Sequence, residues 1–465
     1  MDFSDVEASW WLPDTPHHRT SGTLAYSASG LTLTVYGALH PGVAPEPGVL
    51  TPLFYDLKNS PIVHGETRTG QLMSLVGVSG YSSQMLQSFQ ESYRVELALE
   101  GDHIEEVTFA GIKASFQQLD VWAGADSIYT KTLGQKTIMV HPETVELVCA
   151  SLQDATLRIK YGVEGHSHDK EVSYNRWCTY SAETSCSMEW RDLLEQYVQP
   201  LNDLLVVTMG SPIPLNDVAL KVNDSWCPVY FRTRETRGGS KIHRPDGYDS
   251  PAILTLPTSP MPADQLLVSW FEIRAELRET LGVLLGPVYA PFTYEEHKFA
   301  SFFQGLEAYH SVRRTRYGTT DVTKAEHKER VAAVLATLGQ ADHEEDVLKW
   351  AQNLLQPRND KPLWRKVDDI VRSAEIVGED ILAAAPNFCT DVARARTGVS
   401  HGGADKGLNI VSRYWHAEAI FWIMRVRILL DIGIKDVPER ARKRQAYQFM
   451  LTKLREGTME NSSQS

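Results

Sequence analysis

Through its first half the chain alternates apolar and polar residues with a period of two. Leu31-Thr-Leu-Thr-Val-Tyr36 does so strictly, and Thr23-Leu-Ala-Tyr26 precedes it across the small-residue turn Ser27-Ala-Ser-Gly30. Two such runs around a turn predict a β-hairpin. Similar short runs predict strands at Gln71–Val78, Tyr93–Leu99, Val107–Phe116, Val145–Leu152, Leu157–Gly162 and Val229–Arg232, separated by Gly, Pro, Asp and Ser. Only about Met188 to Leu205 do apolar residues recur at helical spacing. Many short strands with turn signals between them predict a sandwich or an irregular barrel.

The period changes near Pro262. Leu267, Trp270, Phe271, Arg274 and Leu277 fall on a helical repeat between Asp264 and Leu285, and Gly286-Pro-Val-Tyr-Ala-Pro291 is expected to break it. Helices are predicted at about 293–317, 322–338, 341–355, 361–376, 387–397 and 405–431, with a shorter one at 437–455. Thr323, Asp342 and Asp360 suit N-caps, and Pro386 suits a first helical turn. The apolar set Leu408, Val411, Tyr414, Trp415, Ile420, Phe421, Met424 and Leu429 covers more than one helix face, which predicts burial on both sides. The expected class is therefore α+β. A β-rich domain spans 1–261, a helical connector 262–291 and an all-α bundle 292–455, with a disordered tail at 456–465.

Charge divides the chain at the same place. Residues 1–291 hold 20 Lys and Arg against 35 Asp and Glu, a net −15, whereas from Phe292 on there are 26 against 24, a net +2. Only the second half is expected to meet a polyanion, and the first half alone should repel phosphates at low salt. Met1-Asp-Phe-Ser-Asp5 is acidic and no apolar core follows, so no signal peptide is expected. Ala417–Ile434, the most apolar late stretch, is interrupted by Glu418, Arg425, Arg427 and Asp431, which argues against a membrane span. Five cysteines without a CxxC pair argue against a disulfide framework and for a reducing cytoplasm.

Several chemistries find no pattern here. Gly80-Tyr-Ser82 and Gly239-Ser240 lack a nucleophile elbow, and neither Gly-rich phosphate-loop motif occurs. His166-Ser-His168 before Cys178 and Cys186 offers zinc-ligand types, but its spacing matches no familiar zinc module. Neither a metal nor a cofactor is expected. The remaining constellation is Arg394-Ala-Arg396-Thr-Gly-Val-Ser-His401-Gly-Gly403. Histidine can take a proton from a ribose 2′-OH or give one to a leaving 5′-oxygen, and arginine can clamp phosphate oxygens as charge develops. Residues five apart lie about 140° apart on an ideal helix. Such a pair converges where a helix ends, or across a dimer axis. The spacing alone carries little: in a chain of this composition each fixed Arg–His spacing arises by chance about once. Small neighbours, a helical domain and the nearby Arg413, Arg425 and Arg427 select this match.

From Phe292 to Arg455 the chain resembles the ApeA-like HEPN domains, with Arg396–His401 as the R-x4-H motif and Phe302-Phe-Gln-Gly-Leu-Glu307-Ala-Tyr-His310 as the opening helix. The first half resembles the ApeA N-terminal domain in Trp10-Trp-Leu-Pro13, Gly22-Thr-Leu-Ala-Tyr26, Leu31-Thr-Leu-Thr-Val35, His64-Gly-Glu-Thr67 and Gly70-Gln-Leu-Met-Ser-Leu75. The resemblance implies a cytoplasmic antiphage ribonuclease toxin acting by abortive infection. It implies metal-independent cleavage to a 2′,3′-cyclic phosphate, with active sites at the interface of a homodimer or higher even oligomer. Arg396 and His401 would be catalytic. Arg394, Thr397, Ser400 and Arg413 would contact RNA, Thr397 or Ser400 orienting one of the catalytic pair. Thr397 stands where such ribonucleases often carry Asn, Asp or His. A phage-derived trigger would act on the N-terminal domain. The alternative is an inactive HEPN fold that binds nucleic acid, a nucleotide or a protein partner.

Overall fold

The structure, a computed structural model, describes residues 5–27, 30–41, 59–85, 89–124, 129–133, 136–140, 144–168, 171–232, 252–290, 293–340, 345–357, 359–401 and 408–463. Of residues 81–85, 129–133, 136–140, 164–168, 171–176, 345, 397–401 and 458–463 it describes the backbone alone. The chain forms two compact units. The first comprises Met1–Val206, Pro212–His243 and Thr255–Val268, the second Val207–Ser211, Arg244–Leu254 and Ser269–Ser465.

Alternation builds a barrel in the first unit. Its strands are β1 (Val6–Trp11), β2 (Thr20–Ser27), β3 (Gly30–Val35), β4 (Ser60–Thr67), β5 (Leu72–Met85) and β6 (Phe89–Val95). They run in the order β5-β4-β1-β2-β3-β6, all neighbours antiparallel, and β6 pairs back onto β5 to close the ring. The inward residues Trp10, Leu24, Leu33, Val63, Leu75 and Tyr93 are fully buried. Closure leaves these strands without a free edge.

β5 also serves a second array. Its first half, Met73–Val76, pairs β7 (Leu97–Glu100), while Ser79–Met85 pairs β6. The halves meet at Gly77, whose φ of +65° suits glycine, and a Cβ there would strike the Glu96 carboxylate. Beyond β7 the sheet continues as an antiparallel wing of β15 (Ser225–Phe231), β14 (Leu215–Val222), β8 (Thr108–Phe116), β13 (Glu171–Glu189), β12 (Ala155–His168) and β11 (Val145–Ser151). β9 (Tyr129–Leu133) and β10 (Lys136–Val140) form a separate hairpin. One wing face packs against α1 (Leu119–Ala123) and α2 (Trp190–Leu193). On that face the Tyr180 hydroxyl donates to the Tyr197 carbonyl at 3.1 Å. The helix expected at 188–205 is α2, a π-turn at Leu194–Val198 and α3 (Gln199–Met209). Of the two expected forms, the barrel is the one adopted, with extra strands. The expected strand Tyr93–Leu99 is two strands, broken at Glu96.

The second unit is helical. α4 (Ala263–Glu276) enters it at Ser269, and α5 (Arg278–Tyr289) packs on α6 (Glu295–Val312), so 262–291 is no separate connector. α5 runs through Gly286 and Pro287, where a break was expected. In a last turn, Pro287 costs the helix one backbone donor. There follow α7 (Arg314–Tyr317), α8 (Lys324–Gln340), α9 (Glu345–Leu355), α10 (Leu363–Ser373), α11 (Ile376–Ala384), α12 (Phe388–His401), α13 (Ile410–Ile432), α14 (Val437–Arg442) and α15 (Gln445–Ser463). Thr323 caps as expected, its hydroxyl accepting the Glu326 N–H at 3.2 Å. Asp342 lies outside the described residues, Pro362 rather than Asp360 stands before α10, and Pro386 precedes α12. α13 starts at Ile410, capped by the Asn409 side chain on the Ser412 N–H at 2.7 Å, rather than at 405. The tail expected from 456 is helix as far as Ser463.

α13 is the axis of this unit and is buried along most of its length, against α6 on one side and α15 on another. Phe302 stacks on Phe421 with ring centroids 5.0 Å apart, and Trp422 meets Tyr447 edge-on at 5.3 Å. Val411, expected in the core, is exposed with Ile410 in the first turn.

Candidate active site

α12 holds the arginine–histidine constellation. Phe388, Cys389, Val392 and Ala395 bury one face of the helix, against α6, α10 and α13. Arg394 and Arg396 flank Ala395. The Arg396 side chain is 41% exposed, and its Nε lies 3.5 Å from Oε2 of Glu307 on α6. Its terminal nitrogens have no partner among the described residues. The Arg394 side chain is 65% exposed and reaches Asp391 at 3.5 Å. Burial raises the Asp391 carboxyl above its ordinary range, against the pull of Arg394.

Thr397, Ser400 and His401 are described by backbone alone, and that backbone is helical to His401. Position 401 therefore lies about 140° around the axis from 396 and about 20° from 394. Gly402 and Gly403 lie outside the described residues.

The other arginines near this motif in the sequence are corrected by their burial. Arg413 was expected to contact RNA, but it is 2% exposed; its guanidinium donates to Glu296 at 3.0 Å and to the Leu408 carbonyl at 3.2 Å. Arg425 is fully buried, donating to the carbonyls of Val207 at 2.7 Å and Thr208 at 3.0 Å, and burial lowers its pKa to about 9. Arg427 donates to the Tyr309 hydroxyl, the Ser373 carbonyl and Asp431. A phosphate would have to unpack the core to reach any of them.

Two residues gain a place that sequence reasoning did not give them. Glu307 had been read only as part of the opening helix. His416, on α13, is buried against the Phe388 ring at 5.3 Å and donates from Nδ1 to the Ser412 carbonyl at 2.7 Å. Burial pushes it down to about 4, so it stays neutral at pH 7 and cannot serve as a cation there. Its only sequence signal was its place in the apolar run of α13.

Of the zinc-type ligands, Cys178 is buried, its thiol pushed up to about 12 by burial with Asp120 adding to the effect, and Cys186 is exposed. The side chains of His166 and His168 are outside the description. Among the described residues no group of three His, Cys, Asp or Glu is placed to hold a metal ion, and no helix is long and apolar enough to cross a membrane.

Comparison with known families decides the architecture. The family model for ApeA N-terminal domain 1 matches residues 6–250, more than half of the chain, and the model for Apea-like HEPN matches 300–438. The chain belongs to the ApeA family. In ApeA terms the barrel and wing occupy the N-terminal match, and Arg394–His401 lies inside the HEPN match. This is the architecture of an antiphage HEPN-domain protein. HEPN domains are commonly ribonucleases, and they often bind RNA and dimerise. No curated protein and no solved structure matches the chain.

Proposed function

We propose that the HEPN domain is a metal-independent endoribonuclease toxin that acts in the cytoplasm of the infected cell. The observation that carries this reading is Arg396. It sits half-exposed near the end of α12 in the HEPN match, with Glu307 3.5 Å from its Nε and its terminal nitrogens without a partner among the described residues. A guanidinium presented in this way suits bidentate contact with phosphate oxygens. His401 takes the proton of the ribose 2′-OH while water protonates the leaving 5′-oxygen, or protonates the leaving oxygen while water takes the 2′-OH proton. The 2′-oxygen attacks phosphorus, the P–O5′ bond breaks, and a 2′,3′-cyclic phosphate and a 5′-hydroxyl result. Arg394 is a second phosphate contact, and Thr397 or Ser400 orients the pair.

The site is completed by a second copy. A continuous helix separates positions 396 and 401 by about 140°, so one α12 does not by its own geometry bring both to one phosphate. An apolar patch follows in the chain: Val411 and Trp415 share a face of α13, and Trp415 packs on Phe449 at 5.6 Å. Val411 and Phe449 are exposed at 66% and 55%. Such a patch suits a homodimer interface. The N-terminal domain receives the phage cue.

The test is RNA cleavage by the purified protein, wild type against His401→Ala. Cleavage should survive EDTA, leave a cyclic phosphate end and fail on RNA carrying a 2′-deoxy sugar at the cut. Equal cutting of the deoxy substrate, or loss of cutting on chelation, sinks the mechanism.

A further inference from the structure

The wing has a second face, opposite α1 and α2. Strand alternation puts Lys113 and Ser115 of β8, Trp177 of β13, Asp217 of β14 and Trp226 and Tyr230 of β15 on that face. Together they line a cavity of about 400 Å³.

Its walls are built rather than incidental. The Trp177 indole lies so close over Gly162 of β12 that a Cβ there would come within 2.3 Å of the ring. At Gly111 of β8 a Cβ would first meet the Ala182 carbonyl at 2.7 Å, with the Trp226 ring next at 3.3 Å. The missing side chain at Gly162 thus seats Trp177 on the sheet. Between strands, the Lys113 ammonium sits 5.3 Å over the Trp226 ring. Among the described residues it has no carboxylate and no hydrogen-bond acceptor, and burial lowers its pKa. The neighbouring carboxylates have other hydrogen-bond donors. Asp217 accepts from Ser115 at 3.0 Å, Glu100 from Tyr230 at 2.7 Å, and Glu183 binds both Arg158 at 2.7 Å and Lys221. One half-buried cation, Lys113, therefore faces the aromatic cavity without an ion pair among the described residues, and the one carboxylate of the lining, Asp217, is turned to the Ser115 hydroxyl.

A half-buried ammonium gains from an anion that replaces lost water, and half-buried indoles gain from a flat ring. The volume lies at the small end of the range for ligand pockets, about 300–1,000 Å³. It has room for one ring system and one charged group, and is too small for a folded partner.

We propose that this cavity binds a nucleoside monophosphate, its base against the indoles of Trp177 and Trp226 and its phosphate on Lys113. The site belongs to the N-terminal domain and is independent of the chemistry assigned to α12.

Calorimetric titration of the full-length protein with AMP, CMP, GMP and UMP tests it, with the matching nucleosides and ribose 5-phosphate as controls. At least one nucleotide should bind saturably, and its nucleoside and ribose 5-phosphate should each bind roughly tenfold more weakly or worse. Lys113→Met should reduce the nucleotide to the level of its nucleoside. Trp177→Ala should weaken it roughly tenfold. Lys113→Met keeps the stem that packs on the indole, so circular dichroism and the melting temperature should match wild type. Absence of saturable binding of all four nucleotides at millimolar concentration overturns the proposal. Binding that persists unchanged in both variants does so too, because it places the nucleotide elsewhere.

Discussion

α12 and α13 are successive helices rich in arginine, and they use it in opposite ways. On α13, Arg413, Arg425 and Arg427 are buried and spend their donors on backbone carbonyls, Glu296, Tyr309 and Asp431. On α12, Arg394 and Arg396 stay at the surface, each with one loose carboxylate neighbour at 3.5 Å. The difference follows from position. α13 is surrounded, so a guanidinium there must be satisfied from within or cost several kcal/mol. α12 buries one face only, so its arginines keep nitrogens without a partner among the described residues. A cluster of basic residues in a sequence thus reports charge, and the packing decides whether that charge can meet a phosphate.

Substitution should separate the two helices most sharply in catalysis. Arg396→Ala and His401→Ala should each lower RNA cleavage by about 10²–10⁴-fold. Neither should shift the denaturant midpoint, since Arg396 at least packs against no core. A variant that lost activity through unfolding would instead place α12 with α13.

The next largest effect belongs to the α13 network. Asp431, whose side chain is 2% exposed, accepts from the Tyr309 hydroxyl at 2.6 Å, Arg313 at 2.9 Å and Arg316 at 2.7 Å, as well as from Arg427. Asp431→Ala takes from the buried Arg427 its carboxylate and leaves Arg313 with Glu276 alone, and should cost about 3–5 kcal/mol in urea unfolding. A loss below about 1 kcal/mol would mean that the network relaxes to water.

Acid should weaken the same network more gently. Burial by itself would raise the Asp431 pKa, but the hydrogen bonds from Tyr309 and Arg316, with Arg427 beside them, hold it at about 2. The folded value is below the unfolded one, so the stabilisation is complete above about pH 4 and is lost as pH falls toward 2. It amounts to about 2 kcal/mol. Unfolding measured across that window should show the slope in the wild type and not in Asp431→Asn.

The contrast between α12 and α13 was only half legible in the sequence. Helical periodicity marked α13 as a core helix, and the β2–β3 hairpin was plain from Ser27 and Gly30 around its turn. β13 escaped although Thr179, Ser181 and Glu183 alternate with Tyr180 and Ala182, because the alternation is short within a 19-residue strand whose other residues are mostly polar. Barrel closure joins Ser79 to Arg94 and Leu31 to Val95, pairings that no local pattern encodes. At the site, residue types and family resemblance singled out Arg396 and His401. The burial of Arg413 could not be read, because its partner Glu296 lies far away on α6. Glu307 stood in a quoted motif without a role for the same reason: its contact with Arg396 joins helices distant in the chain.

That contact supplies the smallest and most diagnostic test. Glu307 faces Nε of Arg396 at 3.5 Å, too long and too exposed for a strong bond, with side chains 25% and 41% accessible. Exposed pairs of this kind contribute about 0–1 kcal/mol. The carboxylate approaches Nε and not the terminal nitrogens, so it orients the fork without competing for phosphate. Glu307→Gln should therefore lower kcat by no more than about fivefold, leave KM nearly unchanged and lose even this effect as salt rises. A loss as large as that of Arg396→Ala would place Glu307 among the groups that touch the reacting phosphate. A gain in activity would show instead that Glu307 holds Arg396 back from the RNA.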